Sequence, residues 1–406
     1  MSHIPPEPLG RLFWRYLRFG LLAWGGPVAQ IGLIRQELVE EKRWVSPEHF
    51  GRVLGVYQIL PGPEAHEMCV YFGMQSRGRP GGVLAGLGFM LPGFVLMFAL
   101  SALYVAGIES RPFKAFFLGV QPAVVALVVR ATHRIGLHAL KDGWLWALAM
   151  TAGLAEIVGT GFWITLPLAG ALYLFAARGR SALVAGTAVI LLAAIVLSAD
   201  PAAISRRLRS GPGPIPPGSV GVERSIERGA VSRASEGRLF VSGLRSGLLT
   251  FGGAYTVLPF LRHDAVESGR WMTDQEFLDG VALSGILPAP FVIFSTFVGY
   301  LGGGPVGALL LTIGIFLPAF GFTLLGHQTL ERLIDHRGAH AFLDGVTAGV
   351  VGLIAVTALT LFRHAVGNLE AAGIFALGII LLYRWKARAA VAIVMLTAGL
   401  TGLLLH

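Results

Sequence analysis

Apolar runs separated by short polar connectors fill this chain almost from end to end. They fall near residues 12–34, 50–75, 80–108, 113–135, 143–158, 160–177 and 181–199, then 240–261, 277–302, 305–328, 340–362, 368–383 and 387–405. The pattern predicts seven segments followed by six, about thirteen membrane segments in all. Runs such as 82–107 and 371–383 are apolar without interruption, as a lipid-facing helix requires. Segments 12–34 and 50–75, with their later counterparts, are polar and broken enough to form paired half-helices instead of single crossings.

The chain also matches itself. A shift of 227 carries Gly25-Gly26 onto Gly252-Gly253, Arg43-Trp44 onto Arg270-Trp271, and Ile59-Leu60-Pro61 onto Ile286-Leu287-Pro288. It also carries Pro63 onto Pro290. After one deletion the shift becomes 226 and pairs Leu91-Pro92 with Leu317-Pro318, Gly119-Val120 with Gly345-Val346, and His138 with His364. A constant register through Arg-Trp and Pro-x-Pro predicts two homologous repeats, 10–199 and 238–406. Between them, residues 200–237 are rich in Pro, Gly, Ser and Arg and read as a mobile linker, not a nucleic-acid arm. An odd number of crossings before the linker predicts that the repeats are inverted, the architecture of many secondary transporters. Lys and Arg distribution favours an N-terminus inside if the linker is outside; with a cytoplasmic linker it decides nothing.

Two breaks stand out. Pro61-Gly62-Pro63 and Pro288-Ala289-Pro290 interrupt apolar segments, and each interior proline removes a backbone donor at a cost of about 3 kcal/mol. Within a membrane the freed groups need protein, water or a ligand. Gly25-Gly26-Pro27 and Gly252-Gly253 allow close backbone approach, and helices opened after them present amides suited to an anion. The alternative is that these residues serve only tight packing and kinks. The candidate substrate site is therefore Gly25, Gly26, Pro27, Pro61, Gly62, Pro63, Gly252, Gly253, Pro288 and Pro290.

Ionisable residues in apolar sequence are costly and default to functional candidates. Glu64, His66 and Glu67 follow the first break and are candidates for proton coupling, whereas the aligned Phe291, Ile293 and Phe294 are apolar. The bland alternative has Glu64 capping the restarted helix and His66 or Glu67 facing water. Arg130, His133 and Arg134 close an apolar segment, where they snorkel to the interface or bind an anion. Arg35, Glu37, Glu40, Glu41, Lys42 and Arg43 read as a salt-bridged surface connector. Arg43 and Arg270 recur beside Trp44 and Trp271, which predicts gating or interface anchoring.

Composition agrees with the pattern. The chain of 406 residues is 54% hydrophobic and 14% charged, against about 25% charged in soluble domains, so it is an all-α polytopic membrane protein. A net charge of +9 fits basic loops at an anionic leaflet better than nucleic-acid binding. The first six residues lack a basic region before an apolar one, so no cleavable signal peptide is expected. Cys69 is the lone cysteine, so no intramolecular disulfide or cysteine metal cluster can form. His66-Glu67 is not a metalloprotease motif because position 70 is Val70. With no phosphate loop and no nucleophile elbow, neither an enzyme nor an ATP-driven pump is expected. No cofactor and no metal is expected either.

At Phe19 to Trp44, at Leu60-Pro61-Gly62-Pro63-Glu64-Ala65 with Tyr71-Phe72-Gly73, and at residues 248–259 (Leu-Leu-Thr-Phe-Gly-Gly-Ala-Tyr-Thr-Val-Leu-Pro), the chain resembles the chromate transporter family in its long, two-repeat form. The resemblance implies a multi-pass inner-membrane protein that exports chromate from the cytoplasm by proton antiport and confers chromate resistance. Its partners would be the oxyanion, protons and the lipid bilayer, and self-association is compatible with this class. Sulfate or another oxyanion is the alternative cargo; a membrane sensor or scaffold acting through the linker is the alternative of another class. Two departures from the family pattern, Pro288-Ala289-Pro290 and His66-Glu67-Met68, fall at the proposed site and bear on substrate identity.

Overall fold

The computed structural model describes residues 4–22, 24, 26–58, 60–108, 110–199, 233–334, 337–385, 387 and 389–405. Gly25 and the predicted linker up to residue 232 lie outside the described residues.

Each half opens with two helical hairpins. Helices α1 (Leu9–Leu21) and α2 (Gly26–Arg35) follow one another with four residues of sequence between them. Arg15 and Arg18 of α1 reach Glu37, one step beyond α2, so the two helices run side by side. Helix α3 (Pro47–Tyr57) and the start of α4 (Glu64–Gly107) repeat this geometry. His49 Nε2 lies 3.1 Å from Tyr71 Oη, and Phe50 stacks on Phe72 with ring centroids 5.8 Å apart. One continuous helix would hold residues 49 and 71 about 33 Å apart. The broken segments 12–34 and 50–75 are therefore paired half-helices, the alternative that their polarity allowed.

Helix α4 reverses once more. Arg77 and Gly78 leave helical geometry, with Gly78 at φ 63°, and Gly73 then packs directly against Gly81. A left-handed φ at a tight reversal favours glycine, which has no Cβ to clash. The returning limb, residues 79–107, is the first long apolar helix. It is followed by α5 (Arg111–Ala139), α6 (Gly143–Val158), α7 (Phe162–Ala177) and α8 (Ser181–Ser198).

The second half restates these elements as α9 (Glu236–Leu249), α10 (Leu258–Arg262), α11 (Asp274–Ile286), α12 (Phe294–Ile334), α13 (Arg337–Ala365), α14 (Leu369–Arg384) and α15 (Ala390–Leu405). The register read from the sequence recurs in backbone detail. Among the described residues, Arg43 at φ 53° and Arg270 at φ 52° are the only residues other than glycine with positive φ. Wide helical turns at Gln36–Glu41 and His263–Ser268 precede them. Gly304 in α12 matches Gly78, with φ 64°. Ser46 and Thr273 cap α3 and α11, and Asp142 and Asn368 cap α6 and α14, each accepting the amide three residues on. Helix α8 has no counterpart among the described residues.

The halves exchange partners. Helix α5 packs on α14 and α15 of the second half, and α13 packs on α6 and α7 of the first. Two glycines related by the repeat permit this contact: Gly119 meets Ala398 and Gly402, and Gly345 meets Ala169 and Gly170. The largest apolar core draws on both halves, from Met97 and Val120 to Phe294 and Met395. By length and apolarity, five helical stretches among the described residues could cross a membrane: 64–107, 111–139, 181–198, 291–326 and 338–365.

A side chain at Gly345 would lie 2.6 Å from the Ala169 carbonyl oxygen, and one at Gly119 would lie 2.6 Å from Gly402. Gly119→Val and Gly345→Val are expected to destabilise the protein by about 1–3 kcal/mol or more through overpacking. Thermal unfolding in detergent reads this out, with Gly186→Ala, which meets no atom within 4 Å, as the unperturbed reference.

Candidate functional site

The four hairpin tips meet between the two halves. Pro61 and Pro63 carry no amide, and Gly62 between them, at φ 148°, adopts a backbone that side chains disfavour. The Gly62 amide does not stay empty: it donates to the Thr250 carbonyl at 2.9 Å, joining the first half's second tip to the second half's first tip. The reciprocal contact uses a side chain. Gln30 of α2 donates from Nε2 to the Ala289 carbonyl, 3.1 Å away, between Pro288 and Pro290.

Packing follows the same crossed pattern. A Cβ at Gly62 would lie 3.3 Å from Ala319 Cβ, and one at Gly93 would lie 2.6 Å from Ala289 Cβ; the repeat relates these two pairs. Gly252 (φ 79°) sits against Thr347 of α13, and Gly253 (φ 125°) starts the short turn Ala254–Val257. Gly26 (φ 76°) opens α2, 4.0 Å from Tyr255 Oη if given a Cβ, and the Tyr255 ring lies 4.2 Å from that of Phe291. The structure thus assembles Gly26, Pro61, Gly62, Pro63, Gly252, Gly253, Pro288 and Pro290 around one crossing. Pro27 belongs to the first turn of α2, and Gly25 lies outside the described residues.

The three ionisable candidates separate. Glu67 is fully buried, neither carboxyl oxygen has a hydrogen-bond partner among the described residues, and Oε1 lies 2.9 Å from the Cβ position of Gly62. Glu64, one turn earlier, is the first residue of α4. His66 points into an aromatic cage, with ring centroids of Phe316 and Phe320 at 4.9 and 4.7 Å. Neither of its ring nitrogens has a partner of hydrogen-bond geometry, although the backbone of Gly86 lies alongside. The reading in which His66 or Glu67 faces water is corrected: both are fully buried.

Arg43, Trp44, Arg270 and Trp271 lie at the turns between hairpins, the ends opposite the tips. Trp271 is fully buried against Gly269 and Gly302, with Arg238 5.4 Å from its ring; Trp44 is partly buried under Arg15 at 4.6 Å. Both tryptophans pack the left-handed turns. Glu37, expected in a solvated connector, is instead buried between Arg15 and Arg18, while Arg35 and Glu40 do form the exposed pair, 3.6 Å apart.

A further buried acid escaped the sequence reading. Asp279 of α11 is fully buried and accepts from Tyr104 Oη at 2.7 Å and Gln121 Nε2 at 2.8 Å. The signal was present, an aspartate inside the apolar run 277–302.

Near the Arg270 turn, Arg262 bonds Glu267 at 2.5 Å and Asp274 at 2.7 Å, and His263 Nδ1 lies 3.3 Å from Glu267. Glu156, His263 and Glu267 bring ligand atoms within 4.8 Å of one another. Arg262 already neutralises Glu267, which makes this an ion-pair network first.

The chain has the parts of a membrane transporter: an internal repeat, helices broken at a shared crossing, and ionisable groups buried beside it. It belongs to the chromate transporter family, whose model matches residues 10–199 and 237–403. It is 51% identical to a chromate transport protein of Pseudomonas aeruginosa, covering 98% of this chain and 92% of that one. A probable chromate transport protein of Synechococcus elongatus is 28% identical over 95% of this chain and 92% of its own. An uncharacterized transporter of Bacillus subtilis, YwrA, aligns at 29% identity with 37% of this chain but 85% of itself, the span of one repeat. No solved structure matches. The protein is a transporter of this family and not an enzyme.

Two outcomes follow from the site. Gly62→Ala forces a Cβ against Glu67 Oε1 at a φ side chains avoid, so this small substitution is expected to lower transport at least tenfold while the protein still accumulates in the membrane. Vesicle uptake normalised to protein content measures it. Separately, the Glu267 hydrogen bond holds the His263 imidazole above its ordinary value of 6.5, against the opposing effect of burial. A raised folded value stabilises the protein fully below 6.5, and this contribution fades as pH rises through the folded value. On lowering the pH from 8 to 6, thermal stability is expected to rise more in the wild type than in His263→Gln.

Proposed function

We propose that the protein exports chromate from the cytoplasm across the inner membrane by proton antiport, through the crossing of the four hairpin tips. The observation that carries this reading is the convergence of both Pro-x-Pro breaks at the repeat interface, in a chain of the chromate transporter family. A tetrahedral dianion suits a site framed by helix starts and backbone amides. Glu67 is the coupling group: a carboxylate buried without a partner is costly, so its charge needs a compensating proton whenever the site is closed. Glu64 passes that proton to and from solvent.

The repeats are inverted in this reading. Hairpins that return to their starting face leave five crossings before the linker, namely the second limb of α4, then α5, α6, α7 and α8. Five is odd, so α9 begins on the opposite face from α1. The partner exchange of α5 and α13 supports such an arrangement, because two inverted repeats interlock about an axis in the membrane plane.

Inside-out membrane vesicles with an imposed proton gradient test the function directly. Chromate accumulation that depends on the gradient and survives excess sulfate is expected, and Glu67→Gln should abolish the gradient dependence. Accumulation of sulfate in place of chromate would overturn the cargo. Chromate uptake indifferent to the gradient would overturn the antiport.

A further inference from the structure

The tips have a cationic side as well as an acidic one. Arg130 and Arg134 lie one turn apart on α5 and share a helix face. The repeat places Val356 and Thr360 at the matching positions of α13, so this pair, like Glu64 and Glu67, belongs to the first half alone. Arg130 is half-buried and Arg134 exposed. Helix α5 packs against the Ala254–Val257 turn that carries Tyr255, and His133, between the two arginines in sequence, lies with Nδ1 2.8 Å from Tyr383 Oη.

This turn of α5 abuts the crossing. Ile135, the next residue after Arg134, comes within 4.0 Å of the Cβ position of Gly252, and Tyr255 lies across from Gly26 at the start of α2. Residues 250–255 thus separate two poles. On one side Thr250 receives the Gly62 amide beside Glu67; on the other the turn that carries Tyr255 packs on α5, the helix of the two arginines. Among the described residues neither Arg130 nor Arg134 forms an ion pair with a carboxylate. They repel each other across one helical turn, an arrangement that a dianion relieves and a monoanion relieves less. Guanidinium forks match tetrahedral oxyanions with paired hydrogen bonds, which lysine cannot reproduce.

Resting on the transport reading above, we propose that Arg130 and Arg134, with the Tyr255 hydroxyl, form the site that recognises a tetrahedral oxyanion dianion, apart from the proton site at Glu67. The first half then supplies both the anion pole and the proton pole, and the second half supplies the hairpin tip between them.

The test compares wild type, Arg130→Gln, Arg130→Lys and Arg134→Gln in inside-out vesicles, with Arg180→Gln as an exposed-arginine control. The expected result is a rise of tenfold or more in the chromate KM for Arg130→Gln, with maximal rate and gradient dependence held within about twofold. Arg134→Gln should show a smaller rise, Arg130→Lys incomplete rescue, and the control no change. Arg134 is exposed, so its variant perturbs no core. Equilibrium binding of chromate to the purified protein in detergent supplies a second readout, and weaker binding in both glutamine variants supports the site even where transport is impaired. An unchanged KM and unchanged binding in Arg130→Gln and Arg134→Gln would overturn it. If the wild type carries sulfate and not chromate, yet the sulfate KM rises in the same variants, the cargo reading fails and the recognition site stands.

Discussion

Amides and carbonyls released where a helix breaks must be satisfied inside the protein when water is absent. Here the partners are borrowed across the repeat: the Gly62 amide uses a carbonyl of the second half, and the Ala289 carbonyl uses a side chain of the first. Neither tip is complete within its own half. The same dependence appears in the packing, where α5 lies on α14 and α15, and α13 on α6 and α7, through glycines too crowded to bear a side chain. Each half therefore relies on the other for the polar partners of its broken helices.

The repeat is symmetric in backbone and asymmetric in chemistry. Left-handed turns recur at Arg43 and Arg270, chain reversals at Gly78 and Gly304, and helix caps at Asp142 and Asn368. The ionisable groups at the crossing do not recur. Glu64, His66 and Glu67 face Phe291, Ile293 and Phe294 in the other copy, and Arg130 and Arg134 face Val356 and Thr360. Placing charge in one copy alone makes the two repeats electrostatically unequal. Asp279, buried with Tyr104 and Gln121, is the second copy's own ionisable group, and its hydroxyl and amide donors satisfy it in place.

Local rules written in the chain determined a good deal. Apolar segments placed the helices, a constant shift exposed the repeat, and prolines beside glycines marked the tips, because each depends on neighbours a few residues away. The recurrence of Arg-Trp marked the repeat, although it did not show that both arginines would sit in left-handed turns. Tertiary structure decided whether the broken segments run on or fold back: a break fixes where a helix ends and not the direction in which the chain leaves it. It also decided the fate of each charge. Glu37 and Glu67 look alike in sequence, both acidic and both beside apolar residues, yet one is neutralised by Arg15 and Arg18 while the other has no hydrogen-bond partner among the described residues. That difference rests on what lies within a few ångströms in space, and residues far apart in the chain supply it.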